Sequence, residues 1–126
     1  MKEYIAHRGS SFVIEWFYGI NGRSQVLEYF NGLDEDTQDS LVNLFVFMGE
    51  TGKLLNKTKF RNEGDGIYAF KCKFHRFLSF FFVGKKIVLT NAFAKKQDKL
   101  PANEKKKALR YKLDYETRVK RRVYYV

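Results

Sequence analysis

The sequence has one cysteine, Cys72, and one proline, Pro101, in 126 residues. A lone cysteine excludes an intramolecular disulfide, which fits a reducing cytoplasm. With a single proline and no long Gly/Ser-rich stretch, nothing reads as a linker, and the length predicts one domain over residues 1–126. The two histidines, His7 and His75, stand apart from any paired Cys or His at ligand spacing. No metal site is expected, and no cofactor. The longest aromatic run, Phe77–Val83, is far shorter than the ~20 apolar residues that a spanning helix needs. No signal-peptide core follows Met1-Lys2-Glu3-Tyr4. The expectation is a cytoplasmic protein with no membrane partner.

The first part of the chain is poor in positive charge. Residues 1–50 carry 3 Lys/Arg against 8 Asp/Glu, whereas residues 51–126 carry 21 against 6. The net charge of +10 therefore belongs to the second part. Such a basic half points to a polyanion partner: nucleic acid, an anionic membrane surface or an acidic protein. Charge alone supports a merely solvating surface equally well. Apolar content is ample for a core, at 44% hydrophobic and 17% aromatic residues with 13 Phe and 8 Tyr, which excludes a disordered chain.

The pattern along the chain predicts its elements. Phe12–Tyr18, "FVIEWFY", reads as a strand, closed by Gly19, Asn21 and Gly22. "SQVLEYFNGL" reads as a short helix capped by Ser24. "DEDTQDSLVNLFVFMGETG" reads as a second, with Asp34 at its N-cap and Leu41, Leu44, Phe45 and Met48 as its buried stripe. Gly49 and Gly52 are its candidate stops, and the two helices form a hairpin. Residues 53–66, "KLLNKTKFRNEGDG", read as a basic loop. Ile67–Phe74 alternates, with Tyr68, Phe70, Cys72 and Phe74 on one face and Ala69, Lys71 and Lys73 on the other. Phe77–Val83 is apolar on both faces and should be central. Gly84-Lys85 turns into Lys86–Phe93. Pro101 opens a helix to Arg118, packed through Ala108, Tyr111 and Tyr115. "VKRRVYYV", with residues 119–126 as a basic tail, fits either a frayed end or an added edge strand. The expected fold is α+β, in the order β-α-α-β-β-β-α. One antiparallel sheet packs on the helical hairpin, and its Lys71/Lys73 face is open or partly covered by the last helix.

Five segments in this order resemble the HigB-type, phage-derived branch of the RelE/ParE toxin superfamily. They are "GRSQVLEYF", "GLDEDTQDSL", "GIYAFK", "HRFLSFFF" and "NAFAKKQDKLPANE", and the likeness runs from about Phe12 to Tyr115. The resemblance implies a RelE-like fold and the toxin of a type II toxin–antitoxin pair. It also implies a metal-free ribonuclease acting on messenger RNA at the ribosome, in contact with ribosomal RNA, and a neutralising antitoxin of the helix-turn-helix kind.

Metal-free RNA cleavage needs fixed positive charge around the reacting phosphate. Carried across position by position, the resemblance makes Lys71 and Arg76 the catalytic candidates. It makes Lys57, Lys59, Arg61, Asn91, Lys95, Lys96 and Lys99 the RNA contacts. Tyr68 or His75 could stack on a base. Three departures bear on the chemistry. Ala69 stands where the family carries Glu, Asn91 has no titratable proton, and Lys71 replaces the commoner Arg and so loses its bidentate fork. Plainer readings stand beside these. Lys73 suits a solvated position, and Lys105-Lys106-Lys107 a solvated helix face or a ribosome contact. Tyr68, Cys72 and Trp16 suit the core, and His75 a turn. Two further functions remain open: a ParE-like toxin that binds DNA gyrase without cutting, and a binding-only relic.

Overall fold

The computed structural model describes residues 2–53, 56–97 and 99–126. Leu54 and Leu55 of the expected basic loop, and Asp98 of the lysine-rich turn, lie outside the described residues. The elements are β1 (Ile5–Arg8), β2 (Val13–Trp16), α1 (Gln25–Asn31), α2 (Glu35–Thr51), β3 (Phe60–Gly64), β4 (Ile67–Cys72), β5 (His75–Phe82), β6 (Lys86–Ala94) and α3 (Ala102–Lys120). The α+β class holds, but the sheet is mixed, with six strands in the order β1-β2-β6-β5-β4-β3. β2 runs parallel to β6, and every other pair is antiparallel. This corrects the expected antiparallel sheet and its four strands.

β1 and β3 are the two strands that the sequence reading missed. β3 lies inside the segment read as a loop. Its hairpin to β4 turns at Asp65-Gly66, with φ of 56° and 80°, and the next hairpin but one turns at Gly84-Lys85, with φ of 84° and 60°. Positive φ at both central residues matches the twist of the flanking strands.

Two apolar layers sandwich the sheet. On one face Ile14, Trp16, Phe70, Phe77, Ile87 and Leu89 meet Val26 of α1 and Leu41, Leu44, Phe45 and Met48 of α2. On the other, Phe17, Ala69, Leu78, Phe80, Val88 and Phe93 meet Ala108 and Tyr115 of α3. β5 lies between β4 and β6, as its two apolar faces require. Ser24 caps α1 by accepting from the Leu27 N–H at 3.3 Å. Pro101 sits at the N-cap of α3, one residue before the helix.

Gly49 does not stop α2, which runs on to Thr51 with Gly52 as its left-handed C-cap. Gly49 instead admits the β1–β2 turn. Its carbonyl accepts from the N–H groups of Ser11 (2.8 Å) and Phe12 (2.9 Å). A Cβ on Gly9 would come within 2.3 Å of the Gly49 backbone.

The C-terminal segment is neither frayed nor a strand. Tyr124 is buried against Phe17 and Tyr115. Its hydroxyl accepts from the Tyr18 N–H at 2.9 Å, and the Arg118 guanidinium donates to the Tyr18 carbonyl at 2.6 Å.

The Gly9–Gly49 approach leaves no room for a side chain, so Gly9→Ala should lower stability by about 1–3 kcal/mol in urea denaturation. An unchanged midpoint would show that the β1–β2 turn can back away from α2 at no cost.

A cationic cleft as the candidate functional site

In β4 the even-numbered side chains Tyr68, Phe70 and Cys72 face the helical pair. The odd-numbered Ile67 and Ala69 face α3. Lys71 continues the second row. It pairs in register with Arg76 of β5, which follows the α3-facing row of Leu78 and Phe80. Arg61 of β3 is in register with Ala69 and extends the same row outward. Lys73 drops out of the face. It takes φ of 55° in the Lys73-Phe74 turn, and its ammonium donates to the Thr37 hydroxyl of α2 at 2.9 Å. Phe74, expected in the strand core, lies exposed in that turn.

β6 contains a bulge that the alternation did not predict. Leu78 pairs with Asn91 and Ser79 with Leu89, so Thr90 is the extra residue. The parity of β6 shifts there. Ile87 and Leu89 face the helical pair before it, and Ala92 after it. Asn91 thus turns toward α3 and is wholly buried. It accepts from the Thr90 hydroxyl at 2.7 Å and donates to the Glu104 side chain at 3.0 Å. This corrects the expectation for Asn91. Its side chain ties α3 to the sheet and is not presented at the surface.

These placements build a cleft of about 330 Å³ between the ends of β3, β4 and β5 and the start of α3. Arg61, Glu63, Lys71, Arg76, Lys95, Lys99, Leu100, Ala102 and Lys105 line it. Five of the nine site residues expected from the sequence therefore share one cavity. Lys57 lines an adjoining open groove that shares Arg61 and Lys71 with the cleft, and its carbonyl accepts from the Lys71 ammonium at 3.1 Å. Lys59 and Lys96 are exposed and stand outside the cleft lining. His75 is buried in β5, not in a turn, and shares a 2.7 Å hydrogen bond with the Tyr29 hydroxyl. Cys72 and Trp16 are core, as expected, and Tyr68 packs half-buried against the same core.

Two lining residues were missed. Lys105, read as a solvated helix residue, reaches the cleft and pairs with Asp65 at 2.8 Å. Glu63 is the one carboxylate among the described lining residues. The Asp65-Gly66 turn was the signal that would have placed both, because it folds β3 back along β4.

The electrostatics follow from the crowding. Burial and the charges of Arg76, Lys95 and Arg61 pull Lys71 below the ordinary lysine value, with Glu63 acting against them. Burial lowers Arg76 as well, and Glu63 again opposes it. An arginine so placed remains charged, whereas a lysine can give up its proton. The Arg76 guanidinium donates to the carbonyls of Lys73 and His75, both at 2.9 Å. It is thereby held in one place with further N–H groups to spare. Among the described residues, no three His, Cys, Asp or Glu side chains gather as a metal cluster. No described helix is long and apolar enough to cross a membrane.

The site is thus a cleft on an α+β domain lined by six cations and one carboxylate. The chain belongs to the family described as "Phage derived protein Gp49-like (DUF891)", which it matches over residues 28–112, well over half of its length. No curated protein matches it.

The lowered Lys71 value carries a sign. Between that value and the ordinary one, the unfolded chain binds more protons, so stability rises with pH through this window. Lys71→Gln should abolish that rise and increase the thermal midpoint, more so at low salt. A midpoint that falls would show that Lys71 is held by favourable contacts rather than by crowding.

Proposed function

We propose that the protein is the toxin of a type II toxin–antitoxin pair and acts as a ribosome-dependent messenger RNA endonuclease. The observation that carries this reading is the convergence of Arg61, Lys71, Arg76, Lys95, Lys99 and Lys105 on one cleft. Membership of a phage-derived, toxin–antitoxin-related family supports it. The cleft has room for a phosphate and its adjoining sugar.

In the proposed reaction the 2′-hydroxyl attacks the neighbouring phosphorus. Lys71, drawn toward its neutral form, takes the hydroxyl proton. Arg76 faces the negative charge that gathers on the phosphorane oxygens. The bond to the 5′-oxygen breaks, and that oxygen leaves with a proton from solvent or from an ammonium group of the cleft. A cyclic phosphate and a 5′-hydroxyl result. Lys95 and Lys99 hold the backbone of the messenger as it enters. Glu63 sits in the cleft and Ala69 is buried beneath α3, so a carboxylate is available from β3 instead of β4. Lys57, Lys59 and Lys96, on the surface around the cleft, contact more distant phosphates of messenger or ribosomal RNA. A cognate antitoxin neutralises the protein by covering the cleft.

Primer extension on a defined messenger, translated in a cell-free system, tests the reading. The intact protein should produce cuts that require the ribosome. Arg76→Ala should reduce them by roughly 100-fold or more, and Lys71→Ala should do likewise. A folded protein that leaves the messenger whole would overturn the nuclease reading and favour binding without cleavage.

A further inference from the structure

The cleft does not account for the basic segment at the far end of α3. Lys120, Arg121 and Arg122 are all exposed. The carboxylates nearest along the helix are already engaged, Asp114 by Arg118 at 2.8 Å and Glu116 by Lys112 at 3.7 Å. The backbone that carries the three cations is nevertheless fixed. The helix closes through Arg121 N–H to the Thr117 carbonyl (3.1 Å), Arg122 N–H to Val119 (3.0 Å) and Val123 N–H to Arg118 (3.0 Å). Just beyond, Tyr124 is buried and locks the turn to the sheet. Arg122 takes φ of 61°, the left-handed position that usually falls to glycine at a helix end. An arginine there carries a conformational cost that glycine would not. A strained backbone that keeps a charged side chain in solvent is a cost that a use for the charge would offset.

We propose that Lys120, Arg121 and Arg122 form a second docking point, which grips the phosphate backbone of structured RNA. α3 separates this corner from the cleft by roughly 27 Å of helix. A short single strand that fills the cleft cannot also reach the corner, whereas a folded RNA can touch both. The cleft then selects the strand to be acted on, and the corner supplies attraction only when that strand belongs to a large RNA. This inference rests on RNA being the partner, but not on its being cut.

The simpler role for the corner is to complement the negative end of the helix dipole. The two roles separate in a binding experiment with the full chain carrying Arg76→Ala. The probes are an RNA hairpin with a stem of about 20 base pairs and a single-stranded extension, and a single strand of about three nucleotides, too short to span the helix. Lys120→Glu/Arg121→Glu/Arg122→Glu should weaken hairpin binding at least tenfold (on the order of its three lost contacts) and lower the salt slope by about 2–3. Binding of the short strand should not change. Arg122→Gly should raise the thermal midpoint and still weaken hairpin binding, a combination that a capping role does not give. Unchanged hairpin affinity in either variant overturns the proposal, as does equal loss on both RNAs. Corner-dependent binding to phosphatidylserine vesicles in preference to the hairpin overturns it too. Corner-dependent hairpin binding, together with no cuts in translated messenger by the chain that keeps Arg76, would remove the nuclease reading and leave this one standing.

Discussion

Bringing six cations to one cleft costs free energy, and the scaffold is organised to bear that cost. Lys71 and Arg76 stand side by side on paired strands, so neither can relax away without disturbing the sheet. Both faces of those strands are packed, with Phe70 and Phe77 toward α2 and Ala69 and Leu78 toward α3. The repulsion is met locally by Glu63 and by backbone carbonyls, which receive the Lys71 ammonium and the Arg76 guanidinium. Part of it remains and, together with burial, which is the larger cause, lowers the Lys71 value. A surface that merely solvated the protein would spread these charges apart. Held together, they form a site in which an anionic ligand would complete the balance.

The joint between sheet and α3 sets the shape of the cleft. At the Thr90 bulge β6 changes which residues face which layer. Asn91 consequently meets Glu104 in the first turn of α3. On the outer edge of β6, beyond the reach of β2, the Gln25 side chain both donates to and accepts from Ala92, as a neighbouring strand would. Pairing therefore continues as far as Lys95, whose N–H donates to the Phe74 carbonyl at 2.7 Å. The bulge, the Asn91 tie and the Gln25 bridge help to bring Lys95 and Lys105 to the cleft that Arg61, Lys71 and Arg76 also line.

The sequence made these features legible to different degrees, for physical reasons. α1, α2, α3 and β4 to β6 follow from apolar periodicity, because each buries a continuous stripe or face. β1 and β3 are edge strands of four and five residues with little apolar alternation. Their pairing depends on neighbours that a local pattern does not contain. The parallel match of β2 to β6 links residues more than seventy positions apart, which no local signal announces. The five expected residues that share the cleft were nominated by the family resemblance, position by position; only Lys71 also lay on a strand face that alternation made readable, and Arg61 was read in a loop. Asn91 was misplaced because one extra residue, Thr90, reverses the alternation. Lys73 is exposed as expected, but it lies in a turn and not on the strand, because β4 ends at Cys72, two residues earlier than its apolar pattern suggests. Lys105 was passed over because a lysine triplet on a helix looks alike on every face until the sheet beneath it is known.

The Gp49-like match covers residues 28–112 and so contains every residue that lines the cleft. β1, β2, the last turns of α3 and the buried Tyr124 lie outside it. These outer parts still serve the matched core. β2 pairs with β6 and supplies Ile14 and Trp16 to one layer, and Phe17 and Tyr124 close the other. Tyr124 fixes the chain end against Tyr18, so the basic corner cannot swing toward the cleft and add to its crowding. A flexible basic tail would have been drawn to whatever phosphate occupied the cleft. A pinned one keeps its charge roughly 27 Å away along α3. If RNA is the partner, as proposed, two such centres engage separate parts of one long polyanion instead of competing for a single phosphate.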